Sequence, residues 1–263
     1  MSTLNIHKLR VSKMGLKNVS MVGAVPPDAD DADFLQRALD RIVRERSSVR
    51  AFTGQAVSDQ QVEEILRVAS RAPSGVNAQP WRVYVLRGPA RKDLVQKVCA
   101  AHDALFREEI PASEYTGQYP YYPSKWFDPY LQRRRQNGYA LYQVLGIAKG
   151  EKDRMHRQHQ NNFRFFGAPV GIMFTMHRDL GQGALLDYGA FLQNVMLAAK
   201  ARGLDTCPQA AWNTYAKIIL PLIGAGPDEI LVCGMSLGYR DDTHAVNMLR
   251  TPREEPGSFV TFV

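Results

Sequence analysis

Leu35, Leu39, Ile42 and Val43 recur at helical spacing. They predict a helix that ends between Arg46 and Arg50 and follows a linker over 24–33, where two prolines precede a run of acids. Ser58 with Gln61 forms a capping box, and Val62, Ile65, Leu66 and Ala69 continue it as one apolar stripe that Pro73 stops. Residues 81–86 alternate as a strand, and residues 90–110 read as helix. From Pro111 to Gly138 periodicity dissolves into Tyr115, Tyr119, Tyr121, Tyr122, Trp126, Phe127 and Tyr130 among four prolines. A loop of that length is usually functional or disordered, and its aromatics argue against disorder. Residues 168–176 read as a buried strand. In 184–204, Leu185, Phe191, Leu192, Val195, Met196 and Ala199 cover most of a helix's circumference, which places it in the core or at a subunit interface. A short helix over 213–223, a strand over 229–239 and a last short strand over 258–263 complete the pattern. Helices and strands thus mix around one apolar helix, an α+β chain of three layers at most.

At 263 residues, 45% hydrophobic and 22% charged, the chain can bury one substantial core. The net charge of +7 comes from 33 Lys and Arg against 26 Asp and Glu. Nucleic-acid binders concentrate such an excess in patches, whereas here the densest cluster, residues 133–135, is short. The spread favours small anions such as nucleotides over nucleic acid. Cys99, Cys207 and Cys233 are odd in number and have no C-x-x-C spacing, so neither a disulfide framework nor a zinc site is indicated and a reducing cytoplasm fits. No apolar run reaches the ~18 residues a bilayer span needs. The first 27 residues lack acids and carry Lys8, Arg10, Lys13 and Lys17. With one Arg and no apolar stretch they suit an arm preceding the domain better than a leader.

The common catalytic signatures are missing: no G-x-G-x-x-G after a strand, no P-loop, no G-x-S-x-G and no H-E-x-x-H. His156 and His159 lie three apart among Lys, Arg, Gln and Asn, which fits a solvated helix face better than half a metal site. His102, His177 and His244 have no carboxylate or Cys at ligand spacing, and no metal is expected. Three polar stretches remain. Arg46 and Arg50, four apart with Ser48 between, either grip a phosphate from one helix face or complement a helix dipole. Residues 72–81 pack Pro, Ser, Gly, Asn and Gln ahead of a Trp; a plain helix stop does not account for Asn77, Gln79 and Trp81. Residues 203–212 are either a tight connection or a place where Pro208 and small Ala210 and Ala211 let backbone N–H groups approach a ligand.

Taken in order, these stretches resemble the FMN-dependent nitroreductase family. The match lies in R-x-S-x-R at 46–50, P-S-G-x-N-x-Q-P-W at 73–81, the apolar helix over 187–206, and G-M-S-L-G-Y with N-M-L-R-T-P-R-E-E near the end. The resemblance implies an α/β/α three-layer fold with a central mixed, mainly antiparallel sheet in an intertwined homodimer. It covers about residues 40–263, so the FMN-binding domain is set at 31–263 and the arm and linker at 1–30 have no counterpart in it. It implies that Arg46, Ser47, Ser48, Arg50 and Arg250 hold the FMN phosphate, ribityl chain and ring edge. Pro73, Ser74, Gly75, Asn77 and Gln79 would reach in from the partner subunit. Pro208, Gln209, Ala210 and Ala211 would lie along the flavin, with a backbone N–H near N5, and Asn161 or Asn162 would touch its pyrimidine. Tyr122 and Trp126, with Tyr121 and Phe127, are candidates for lining the substrate side. The chemistry implied is ping-pong: NAD(P)H gives a hydride to FMN, and a nitroaromatic then takes two electrons on its way to nitroso and hydroxylamine. Quinones or activated alkenes are alternative acceptors, and a non-catalytic flavin-binding protein is the alternative of another class. The chain departs from the family in the length of residues 111–150 and in Arg240, where a Pro often follows Gly-Tyr.

Overall fold

Residues 29–263 are described by a computed structural model. The first helix, α1 (Ala29–Glu45), begins inside the stretch expected as linker. Asp30 and Asp31 occupy its first turn and Arg44 its last, complementing the helix dipole at both ends. The chain divides into two compact units, Met1–Asp40 and Arg41–Val263, and the boundary falls within α1. Apart from its last two residues, the arm expected at 1–30 lies outside the described residues.

The second unit carries the sheet. Helix α2 (Asp59–Ala69) has the expected capping box: Ser58 Oγ accepts from Gln61 N–H at 3.2 Å, and Gln61 Oε1 accepts from Ser58 N–H at 2.9 Å. Next come β1 (Arg82–Leu86), α3 (Gly88–Phe106), α4 (Tyr130–Val144), α5 (Lys152–Gln160) and β2 (Val170–His177). The chain continues through α6 (Gln182–Lys200), β3 (Asp205–Gln209), α7 (Ala216–Leu222) and β4 (Glu229–Gly238). The strand order is β1-β2-β4-β3, with every neighbouring pair antiparallel. Among the described residues, parallel pairing enters only at a single bridge between Ser48 and Thr206, so the mixed character expected of the sheet is confined to that point.

Alternation along β2 and β4, reset in β4 by a bulge at Val232, builds three layers. Val170, Ile172, Phe174 and Met176, with Cys233, Met235 and Leu237, pack against α2 and α6. Met173, Leu231 and Cys207 pack on the opposite side with α3, α7 and the 3-10 segments Asn161–Gly167 and Ala210–Tyr215. Gly171 faces this second layer because nothing larger fits: a Cβ there would stand 2.3 Å from the Phe165 ring. In α6, Tyr188, Phe191, Val195, Ala198 and Ala199 are buried in the core, while Leu185, Leu192 and Met196 are only half-buried and Leu186 is exposed.

Three elements differ from the sequence pattern. Residues 205–209 form a strand despite Pro208, because β3 lies at the edge of the sheet, where a missing N–H is tolerated. Helix α4 starts within the expected loop and runs through Gly138. Its Arg- and Gln-rich surface has no buried residue, so no apolar period announced it. The strand expected over 258–263 does not form: a short 3-10 turn, Pro256–Ser258, gives way to an irregular end. Phe262 and Val263 are fully exposed, since this chain offers them no strand to pair with.

Candidate functional site

Helix α1 stops at Glu45, so Arg46 and Arg50 do not share a helix face as the spacing suggested. The segment is extended instead. Ser48 bridges to Thr206, and Val49 N–H donates to Thr206 O at 3.0 Å. In extended backbone the side chains alternate, which sets Arg46, Ser48 and Arg50 apart from Ser47 and from Val49, a core residue. R-x-S-x-R therefore works with period two rather than 3.6. Burial pushes the Cys207 thiol up to about 11, opposed by Arg50 and Arg46, so both guanidiniums lie within electrostatic reach of β3. Among the described residues neither pairs with a carboxylate; Arg50 Nη1 donates to the Ser48 carbonyl at 3.4 Å.

Asn247, which the sequence did not single out, binds this segment to the C-terminal one. Its Oδ1 accepts from Arg50 N–H at 2.9 Å, and its Nδ2 donates to the carbonyls of Ala51 and Asp241, each at 2.8 Å. Its own carbonyl accepts from Arg250 Nη1 at 2.9 Å and from Arg240 Nη2. The side chain is buried. Asn247 thus holds the Arg50 backbone through its side chain and the Arg250 guanidinium through its main-chain carbonyl, so segments from opposite ends of the chain share one anchor. The available signal was an Asn three residues before an Arg, which is weak by itself.

Past β3, the chain enters the 3-10 segment at Ala210 and Ala211. Gln209 is buried and its amide is engaged at both ends: Nε2 donates to Asn162 O at 2.6 Å, and Oε1 accepts from Ser236 Oγ at 2.8 Å. Its side chain positions the loop rather than gripping a ligand. Asn162 Nδ2 donates to His159 O at 2.9 Å and Asn161 Nδ2 to Gln158 Oε1 at 3.2 Å, so both amides bind back onto α5. Arg46, Ser48, Arg50, Arg250, Pro208, Gln209 and Asn162 therefore belong to one connected region.

The loop over 73–79 stands apart. Gly75 N–H donates to Asp187 Oδ2 on α6 at 3.2 Å, and Gln79 N–H to Ser74 Oγ at 3.0 Å. Val76, Asn77 and Gln79 hold left-handed backbone with φ of 47°, 57° and 48°. Non-glycine residues in that region cost of order 1 kcal/mol each and cluster at functional sites. Asn77, Gln79 and Val76 are exposed, and no hydrogen bond among the described residues links this loop to residues 46–50. Asp187, the residue that anchors the loop, also escaped the sequence reading.

Among the aromatics, Tyr122 and Trp126 pack with ring centroids 5.4 Å apart, and the Arg134 guanidinium lies 5.0 Å from the Trp126 ring. The expectation of a solvated face holds for His159, which is exposed, but not for His156, whose side chain is largely covered. Phe106, His156 and His102 stack in one column at 4.0 and 4.3 Å, with His159 following at 5.1 Å. His156 Nε2 meets Asp103 Oδ1 at 2.7 Å. Packing of α3 on α5 creates this cluster, which no spacing along the sequence could reveal. Donor atoms of His102, Asp103 and His156 lie within 4.8 Å of one another. The near-parallel rings of the two histidines, 5° apart, suit stacking better than aiming two lone pairs at a shared ion. Burial and the neighbouring imidazoles push His102 down to about 4.

The chain is similar to known proteins in sequence and in fold. The chain is 38% identical over 225 residues to a nitrobenzene nitroreductase of Ectopseudomonas oleovorans, covering 86% of this chain and 96% of that one. Its fold is similar to a crystal structure of the FMN and NADPH-dependent nitroreductase NfnB from Sphigopyxis sp. strain HMH (TM-score 0.80, 36% identity, 86% of this chain and 98% of that one). It is equally similar to FMN-dependent NfnB from Mycobacterium smegmatis in complex with NADPH (TM-score 0.79, 33% identity, 87% and 99%). The profile of the nitroreductase family matches residues 43–239, which take in the arginine segment, the exposed polar loop and the whole sheet, and the chain belongs to that family.

Proposed function

We propose that this chain is an FMN-dependent oxidoreductase that reduces nitroaromatic compounds with NAD(P)H and works as a homodimer. The observation that carries the reading is the meeting of Arg50 and Arg250 on Asn247, with Arg46 nearby, none of them neutralised by a carboxylate among the described residues. Guanidiniums without a carboxylate partner, on segments anchored to the buried Asn247, fit a phosphate and an electron-rich ring edge. FMN, when bound, supplies the redox chemistry by accepting a hydride and passing two electrons to a nitro group. The chain's own residues bind and orient. Arg46 and Arg250 hold the phosphate, Ser47 and Ser48 serve the ribityl hydroxyls, and Arg50 favours negative charge at the ring edge. Pro208, Ala210 and Ala211 keep the approach to the ring narrow, with Asn162 fixed behind them by Gln209. Tyr122 and Trp126 cover the substrate side. No side-chain acid or base is needed, because positioning and a fixed field carry the protein's share.

Exposed apolar surface supports the expectation of a second copy. Phe34, Leu35, Leu39 and Val43 on α1, with Val76, Leu186 and Phe262 elsewhere, expose large apolar surface in the single chain. Soluble proteins rarely leave so much uncovered. The loop over 73–79, exposed and already shaped, would complete the flavin site of the partner with Pro73, Ser74, Gly75, Asn77 and Gln79. We place the domain at 31–263 after an arm at 1–30. Among the described residues no helix is long and apolar enough to cross a membrane. Cys99, Cys207 and Cys233 are free and buried, as suits the cytoplasm.

The test is anaerobic. Purified protein should elute as a yellow dimer, bleach with NADH or NADPH, and regain its colour with nitrobenzene or a nitrobenzoate. A dimer that bleaches but is reoxidised only by quinones would move the acceptor; colourless protein that ignores added FMN would overturn the reading.

A further inference from the structure

Between α3 and the 3-10 segment Asn161–Gly167 lies a cavity of about 390 Å³, lined by Arg91, Lys92, Val95, Gln96, Cys99, Ala100, Asp103 and Arg164. None of these residues belongs to the flavin region described above. We propose that this cavity is a second anion site, built for the oxyanion group of a small carboxylate or phosphate monoester.

The charge balance is the first argument. Three cations line the cavity against one acid, Asp103. That acid is already engaged, by His156 Nε2 and by Gln160 Nε2, each at 2.7 Å. Among the described residues no carboxylate pairs with Arg91, Lys92 or Arg164. A like-charged cluster of this kind costs free energy unless an anion visits it.

Preorganisation is the second. Arg91 packs its guanidinium 5.5 Å from the Phe165 ring centre and donates from Nη2 to Arg164 O at 3.0 Å. Its Nε is buried with no hydrogen-bond partner, so the protein alone leaves this guanidinium incompletely satisfied. Arg164 is fixed in turn by Gln160 Oε1, which accepts from its Nη2 at 2.7 Å. Two guanidiniums set in place match the two oxygens of a carboxylate or a phosphate ester. Val95 and Ala100 supply an apolar wall for the rest of such a molecule.

The third argument is position. Arg91 and Lys92 lie near the N-terminal end of α3, whose first turn carries no acid. Cations there oppose the helix dipole, and an anion reverses the sign of that interaction. Arg164 also belongs to the segment whose Asn162 carbonyl accepts from Gln209. Occupation of the cavity would stiffen the backing of the flavin loop.

The experiment uses FMN-loaded protein at constant ionic strength, titrated in turn with inorganic phosphate, benzoate and AMP, with binding followed by calorimetry and by the rise in melting temperature. At least one probe should saturate in the millimolar range. Benzoate alone would identify a carboxylate site, and phosphate with AMP a phosphate-ester site. Arg91→Gln should weaken that probe about tenfold or more and Lys92→Gln, an exposed change that leaves folding intact, about threefold. Both variants should keep FMN with unchanged affinity, which separates this site from the proposed function. Failure of all three probes to saturate by tens of millimolar, or equal binding by wild type and Lys92→Gln together with Arg91→Gln, would overturn the proposal. A signal that rises linearly with any salt would do the same.

Discussion

Replacing Asn247 by Ala removes three hydrogen bonds at once. Arg50 N–H loses its acceptor, and the carbonyls of Ala51 and Asp241 lose their donors. Asn247 is only 3% exposed, so water replaces these partners poorly. At about 1 kcal/mol for each buried group left unmet, the low end of the usual range, the variant should lose about 3 kcal/mol. For a domain of this size that is a fall of roughly 6–12 °C in melting temperature. The change also loosens the backbone that carries the Arg50 guanidinium, while the Asn247 main-chain carbonyl that accepts from Arg250 is kept. Loss of one charge-assisted hydrogen bond to the cofactor should weaken FMN binding by about 10- to 100-fold. Calorimetry of the apoprotein measures the first effect, and quenching of flavin fluorescence on titration measures the second. Asn247→Asp is the informative companion. It keeps an acceptor for Arg50 N–H but turns a carboxylate toward two carbonyls, so its defect should deepen as pH rises. A melting temperature within about 2 °C of wild type, with FMN affinity within about threefold, would refute the assignment of Asn247 as the tie between the two segments.

Other consequences follow from the same packing. Gly171→Ala places a methyl 2.3 Å from the Phe165 ring and should cost about 1–3 kcal/mol, read as a lower urea midpoint at unchanged slope. Arg250→Gln should weaken FMN binding more than tenfold, and Arg250→Lys should recover only part of the loss, because a single ammonium cannot reproduce a two-pronged grip; equal affinities for the two would contradict a phosphate role. For His102 the unfolded imidazole takes a proton near 6.5, while the folded one resists until about 4. Stability is therefore complete above that window and declines as pH falls through it, by up to about 1.4 kcal/mol per pH unit before screening by water. In His102→Phe, which keeps a ring in the column, urea unfolding between pH 7 and pH 5 should show a visibly shallower dependence.

What could be read from the sequence was whatever local pattern dictates. Ser58 and Gln61 announce α2 because a capping box is complete within four residues, and the nearly continuous apolar run of 168–176 announces β2 because both its faces are buried. The arginine segment was legible as chemistry but not as geometry: Arg46 and Arg50 suit a helix face by spacing, and only the pairing of Ser48 with Thr206, far along the chain, makes them extended. β3 was hidden for the same reason, since Pro208 argues against a strand until its place at the sheet edge is known. Asn247, Asp187 and the column of histidines depend on contacts between residues distant in sequence, and no periodicity encodes those.

The pairing of Ser48 with Thr206 carries a consequence for anyone who mutates this region. An open strand margin invites neighbouring molecules to add on, and proteins blunt such margins with prolines or by covering them. Here Pro208 offers no N–H, and the backbone at Ser48 and Val49 caps the remaining stretch of β3. The residues that would grip the cofactor therefore also seal the rim of the sheet. Substitutions that loosen residues 46–50 should yield protein that clumps during expression as well as protein that has lost its colour, and inclusion bodies in such a screen are a symptom of the same unsealed rim.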